Sequence, residues 1–351
     1  MMKKINYDIS KFEKNSNFYN TIEMYISIKS FDLSSIRKRY IESRKRSRVG
    51  SVERRPPSEG GIAKIVLSKG SIKDSKILHN VLEPRGLCLY NDKLVFSSEN
   101  KIFISGDKEH VINNKWFSYI HSLDIKNEKL LVCSSGFDAI FEYNINNLNL
   151  SWEWFAWENG FNVGKNDDGS DLFLTRDKRE SEEFKKENKN FLFIEDPSLN
   201  VLPTAKRAAF INNASYDYNN NIILTFFHLG SIYYLDKEKN VLDLIIKDLK
   251  TPHGGFAYSD FIMATSTSAG SVVIKDDNFQ YFVSFTNLPQ KNKDLKDMEW
   301  LQNTRFHNGI FITIDSNRNS FIIYDIAKKL YDVIPYNPDW SIQDLQIKCS
   351  I

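Results

Sequence analysis

Five short phrases recur along this chain as variants of one another: Glu-Pro-Arg-Gly-Leu-Cys-Leu at 83–89, Ile-His-Ser-Leu-Asp-Ile at 120–125, Asn-Asn-Ala-Ser-Tyr at 212–216, Thr-Pro-His-Gly-Gly-Phe-Ala at 251–257 and Arg-Phe-His-Asn-Gly-Ile-Phe-Ile at 305–312. Each opens a short apolar run, and a turn and a second run follow. Once one longer insertion is set aside, the phrases return at a spacing that fits one small antiparallel sheet per repeat. Such a unit buries its faces only by stacking on copies of itself, which predicts a β-propeller with each phrase heading an innermost strand.

The runs between the phrases support strands. Lys-Leu-Val-Phe-Ser-Ser, Lys-Leu-Leu-Val-Cys-Ser, Asn-Ile-Ile-Leu-Thr-Phe-Phe and Phe-Ile-Met-Ala-Thr-Ser are rich in β-branched and aromatic residues. A sixth inner strand is expected at 341–347, but the chain ends too soon to complete its sheet. Its partners are expected from 21–32 and 62–67, a join that closes the ring and hides an exposed edge. The predicted fold class is therefore all-β: a six-bladed β-propeller over 61–351, with an N-terminal extension over 1–60 and a charged insertion over 165–206, between blades two and three.

Composition excludes several classes. With 351 residues, 41% hydrophobic and 26% charged, the chain can fold through most of its length, and a formal charge of +2 sets up no whole-molecule field for nucleic acid or membrane. Cys88, Cys133 and Cys349 are far apart, an odd number without CxxC spacing, so neither a disulfide framework nor a zinc knuckle is indicated. No apolar run reaches membrane-span length and no apolar segment follows the basic start, which predicts a cytoplasmic protein. No P-loop, GxGxxG, GxSxG elbow or HExxH is present.

The extension is basic: nine Lys/Arg against two acids lie between Arg37 and Arg55. A solvated helix or a strap over the rim is the expected form, offering a protein partner a tether; a nucleic-acid role is disfavoured. The insertion carries Asp167, Asp168 and Asp171, without the downstream Glu of a calcium loop. A long insertion in a compact fold suggests a lid over the channel. The tryptophans at 152, 154 and 157 are expected to pack in the core or between blades, with a ligand-stacking wall as the alternative.

In a propeller the heads of the inner strands converge on one channel mouth, joined by the turns between second and third strands. This register places Arg85, His121, Asn212, Asn213, His253, Arg305, His307, Gln343 and Asp344 around the mouth, with Asp138 and His228 from the turns. Three readings remain open. His121 and His253, with His228 or His307, would hold a divalent metal, zinc or iron sooner than calcium. Alternatively, imidazole and arginine act without metal, with Arg85 or Arg305 as an anion clamp and Asp138 as base or orienting group. In the third reading the histidines only satisfy backbone groups.

Pro84-Arg85-Gly86 and Pro252-His253-Gly254 heading inner strands resemble the six-bladed group of NHL-repeat proteins, SMP-30/gluconolactonase and strictosidine-synthase-like enzymes, and peptidyl-hydroxyglycine amidating lyase. The resemblance covers roughly 62–351. Gluconolactonase-like enzymes bind calcium through Glu, Asn and Asp, and Glu83 and Asn213 are similar to two of these, with His253 departing from the third. The amidating lyase implies a three-histidine zinc with an arginine, similar in type to His121, His253 and Arg85. Residues 210–230 also resemble part of an arylsulfotransferase blade. The expectation is an enzyme acting on a small polar or anionic molecule by metal-assisted hydrolysis or elimination. The alternatives are a metal-free transferase or lyase and a non-catalytic scaffold for a protein or glycan.

Overall fold

Why the apolar runs are nearly continuous is answered by what covers them. In the computed structural model, which describes residues 2–46, 48–106, 109–200 and 202–348, every residue of Ile310–Asp315 and Ser320–Asp325 is buried, as is every residue of Ile222–Phe226. These are middle strands, and each lies between neighbouring sheets on both faces. The largest apolar cluster joins Val95 and Ile104 of one sheet to Leu130, Val132 and Phe141 of the next, so the core lies between sheets rather than in one central mass. Each fully buried Leu, Ile or Phe contributes about 1.5–3 kcal/mol there.

Among the described residues there are six sheets built on four antiparallel strands, two of them extended by a fifth strand, and a smaller three-stranded one. Their first strands are Leu87–Tyr90, Ile120–Lys126, Ile211–Tyr216, Pro252–Ala257, Leu301–His307 and Ser341–Ile347. These touch one another in cyclic order, the last returning to the first. Close approach is built into the sequence: a Cβ on Gly86 would lie 2.8 Å from the backbone of Ser122 and Leu123 in the neighbouring strand.

The ring is closed by strands from opposite ends of the chain. Ser341–Ile347 pairs with Ile22–Ser30, which pairs with Glu59–Ser68 and then Ser71–Leu82. The first residues do more than the sequence suggests. Lys3–Asp8 adds a parallel fifth strand beside Phe279–Ser284, and Glu13–Lys14 does the same beside Leu330–Pro335. Both cover sheet edges.

In the fifth sheet the expected register is displaced. The phrase at 305–312 straddles the first hairpin instead of heading the sheet, because Asn308 and Gly309 form its turn with φ of 48° and 82°. Two successive left-handed residues, Asn then Gly, are the type I′ signature that matches the twist of a two-residue hairpin. The head of this inner strand is Leu301–Gln302, and Arg305 and His307 lie toward its other end.

Between the second and third sheets lie the small sheet of Val163–Lys165, Asp171–Thr175 and Phe191–Phe193 and the helix Lys178–Lys186, N-capped by Asp177. Asp171 pairs with Lys165, Asp167 with Lys206, and Asp168 caps the Ser170 amide, so these carboxylates serve the local fold. The basic segment forms the helix Leu33–Arg44, capped by Asp32, followed by an extended strap. Cys88 and Cys133 are buried free thiols; Cys349 lies outside the described residues. Trp154 and Trp157 are buried and Trp152 packs beside Trp154. No helix among the described residues is long and apolar enough to cross a membrane.

Candidate functional site

One backbone device repeats at four strand heads. Glu83, Tyr119, Phe210 and Thr251 have φ of 48–50°, and each stands two residues before Arg85, His121, Asn212 or His253. A left-handed conformation costs a non-glycine residue roughly 1–2 kcal/mol. Its recurrence places a kink at the entrance of four inner strands and sets the following side chains at one end of the ring.

There Arg85, His121 and His253 border a cavity of about 150 Å³, on the order of five waters. Its floor holds Arg85, His121, His253, Gln302 and Gln343, and Tyr119, Phe210 and Phe227 are among its walls. Its roof is the N-terminal segment: Ile36, Arg39 and Tyr40 of the helix, then Val49, Gly50, Ser51 and Arg55 of the strap. Among the described residues of the insertion at 165–206 only Thr204 lines it. The covering role expected of the insertion is filled here by the basic segment.

The strap is pinned by charge-assisted bonds. Glu83 Oε1 accepts from Arg55 Nη2 and Arg85 Nη2, each at 2.8 Å, and Glu99 pairs with Arg54. Arg48 donates to the carbonyls of Arg207 and Ala208. Tyr119 is surrounded by three guanidinium groups, those of Arg54, Arg85 and Arg207, at 4.3–4.5 Å from its ring. Burial opposes ionisation of Glu83, but Arg85, Lys29 and Arg55 outweigh it and hold the carboxyl below its usual range.

The cavity is cationic. Lys29, Arg39, Arg55 and Arg85 line it and no carboxylate does. Arg85 is 3% exposed, yet its Nη1 has no acceptor among the described residues. Burial and then Arg85 push the Lys29 ammonium well below the usual lysine range. The same forces act on His121, where burial, Arg85 and His253 disfavour the imidazolium strongly. Burial brings His253 down to about 4. Its Nδ1 lies 2.8 Å from Thr267 Oγ1 and 3.4 Å from the Thr251 carbonyl, which favours a proton on Nδ1 and leaves Nε2 basic. The His121 and His253 rings are 5.6 Å apart.

The expected three-imidazole metal site does not assemble among the described residues. His228 Nε2 lies 2.8 Å from the Thr204 carbonyl, and burial lowers its pKa to about 3. His307 sits near the other end of the ring beside Asn308. No three His, Cys, Asp or Glu side chains among the described residues converge to hold an ion. Histidine-held zinc needs three or four donors, and this cavity offers two imidazoles among four cations. The residues do not fit such a metal.

Other expected site residues are tied up in the framework. Asp138 is buried and accepts the Ala209 and Ile211 amides at 3.1 and 3.0 Å, joining the second sheet to the third. Asn212 and Asn213 donate through Nδ2 to the Pro252 and Gly255 carbonyls at 2.7 Å, while their buried Oδ1 atoms find no donor among the described residues and neither residue lines the cavity. Asp344 is buried and receives Arg305 Nη2 at 3.1–3.2 Å and Asn303 Nδ2 at 2.9 Å. Arg85, His121, His253 and Gln343 do meet at the mouth; Lys29, Arg39, Arg55, Tyr119 and Gln302 join them without having been expected. For Tyr119 a signal existed, since it precedes Ile-His as Thr251 precedes Pro-His.

The ring and its closure can now be set beside known structures. The chain is similar, with a TM-score of 0.57 and 9% identity, to the crystal structure of a nidogen/laminin complex, over 93% of this chain and 98% of that one. The fold is a β-propeller. A protein of unknown function from Bacteroides caccae is similar over the same shares, with a TM-score of 0.51 and 9% identity. A catalytically inactive virginiamycin B lyase from Staphylococcus aureus with quinupristin gives a TM-score of 0.45 and 11% identity over 75% of this chain and 76% of that one, and it carries no argument about this propeller. No family model and no curated protein sequence matches the propeller's chain.

Proposed function

We propose that the chain is a six-bladed β-propeller whose capped mouth binds a small organic acid, and that a histidine there moves a proton on the bound molecule. The observation that carries this reading is the cavity wall. Three guanidinium groups, Lys29 and two imidazoles face the space, Glu83 offsets only Arg55 and Arg85 from outside its lining, and a buried Arg85 N–H has no acceptor among the described residues. A buried unpaired donor costs about 1–3 kcal/mol, and an anionic ligand would satisfy it while offsetting the cations. The six cyclically packed sheets support the blade count.

His253 is the proposed base, oriented by Thr267 and Thr251, with His121 beside it. Burial first, and then the cations, make both imidazoles weak bases. A carboxylate bound among Lys29 and Arg85 would offset the cationic part of that effect and raise imidazole basicity. The reaction class this favours is elimination: the base takes a proton from the carbon next to the carboxylate, that C–H pair becomes the new C=C bond, and the β-substituent leaves with its own bonding pair.

The test has two parts. Benzoate, chosen for its carboxylate and for the aromatic walls, should bind the full chain, and Arg85→Gln should weaken it at least tenfold. A panel of β-substituted carboxylic acids in D₂O should then show exchange of the proton beside the carboxylate, lost in His253→Gln. Benzoate binding without exchange would favour a non-catalytic binder. Exchange that requires added zinc or iron would restore a metal-assisted reaction.

A further inference from the structure

Beside the mouth lies a larger groove of about 840 Å³, with walls from the end of the basic helix, the strap, the start of the insertion and residues 227–230 and 248–251. It shares Val49, Phe227 and Thr251 with the mouth cavity, so a thin wall of side chains divides the two. Arg44, Arg46, Arg48, Lys165 and Lys250 line the groove against Asp167 and Asp248. Of these, Asp167 is already held by Lys206 at 3.2 Å and Lys165 by Asp171. Among the described residues no ion pair holds Arg44, Arg46 or Lys250. Arg48 Nε is buried without an acceptor among the described residues, although the same guanidinium donates through Nη2 to two carbonyls.

We infer that this groove is a second anion site that takes the phosphate or pyrophosphate end of an elongated small molecule whose acid end reaches the propeller mouth. The second half of that statement rests on the function proposed above; the phosphate site stands on the groove itself. With the Lys165–Asp171 and Lys206–Asp167 pairs set aside, four cations face Asp248, more than one carboxylate needs, whereas a phosphoryl group offers several oxygens and up to two charges to arginine forks. The volume lies within the range of small-molecule pockets. A nucleic-acid backbone would call for an open basic track across the surface, and here the cations face into a groove between the strap and the ring.

Calorimetric titration of pyrophosphate into the full chain tests the site. Lys250→Glu and Arg44→Glu are suitable variants because neither side chain is in an ion pair of the fold. Wild type should bind one equivalent, and the double variant should lose at least tenfold in affinity with an unchanged unfolding midpoint. Arg85→Gln should leave pyrophosphate binding intact. Absence of pyrophosphate binding, or binding indifferent to both reversals, overturns the site. Tighter binding of a single-stranded oligonucleotide lacking terminal phosphates overturns the small-molecule assignment. Pyrophosphate binding without benzoate binding upholds the groove and removes only the acid-binding reading of the mouth.

Discussion

Arg85 and Arg305 are both inner-strand arginines, and the sequence offers no reason to separate them. Arg305 lies over the Phe256 ring at 3.7 Å, gives Nη2 to both Asp344 oxygens and gives Nε to the Leu345 carbonyl. Arg85 lies over Tyr119 at 4.5 Å, shares Glu83 with Arg55 and keeps Nη1 without an acceptor among the described residues beside a cavity. One guanidinium has been used up by the framework and the other has capacity left. Binding chemistry is expected where hydrogen-bonding potential remains unspent, not wherever a charged side chain is buried.

The contrast breaks most visibly under mutation. Arg305→Ala should cost about 3–5 kcal/mol in urea unfolding, because it strands the buried Asp344 carboxylate. Arg85→Ala should cost no more than about 2 kcal/mol, since Arg55 still covers Glu83. Its main effect should be on ligand binding. Equal stability losses would erase the distinction.

Acid should act next most strongly, through the mouth. His253 is held at about 4, below the unfolded value of about 6.5. The folded state therefore binds fewer protons than the unfolded one between those values. Stability is full above about pH 6.5 and falls by up to about 1.4 kcal/mol per unit as pH drops toward 4. His121 and His228 shift in the same direction. Unfolding curves from pH 7 to 4.5 should show this slope, reduced in His253→Gln; an unchanged slope would remove His253 from the account.

Two smaller effects sharpen the framework side. Asp138→Asn replaces a carboxylate that accepts two amides and should cost about 1–2 kcal/mol, with benzoate affinity unchanged. Gly309→Ala, at a φ of 82° in the hairpin beside His307, should cost about 1 kcal/mol, again without a change in binding.

Much of the fold was legible because period-two runs and repeated strand heads are local signals. The N-terminal strand Ile22–Ser30 could be matched to the unfinished last sheet by counting partners. The fifth sheet was misread because His-Asn-Gly resembles the other strand heads, while Asn308-Gly309 is a turn. Of the four expected metal histidines, His121 and His253 meet, whereas His228 faces the Thr204 carbonyl and His307 lies toward the far end. Lys29, Arg39 and Arg55 were missed because they reach the mouth from segments distant in sequence from the strand heads.

By itself, the sequence determined a stack of short-stranded sheets, their closure by both chain ends, and a polar rim headed by arginine, asparagine and histidine. Alternation and turn chemistry act over a few residues and can be read directly. Only the tertiary structure decided which rim groups are consumed in tying sheets together and which face a cavity, and that the basic N-terminal segment roofs it. Those outcomes depend on what lies within about 3 Å of each polar atom, and those neighbours come from parts of the chain up to several hundred residues away.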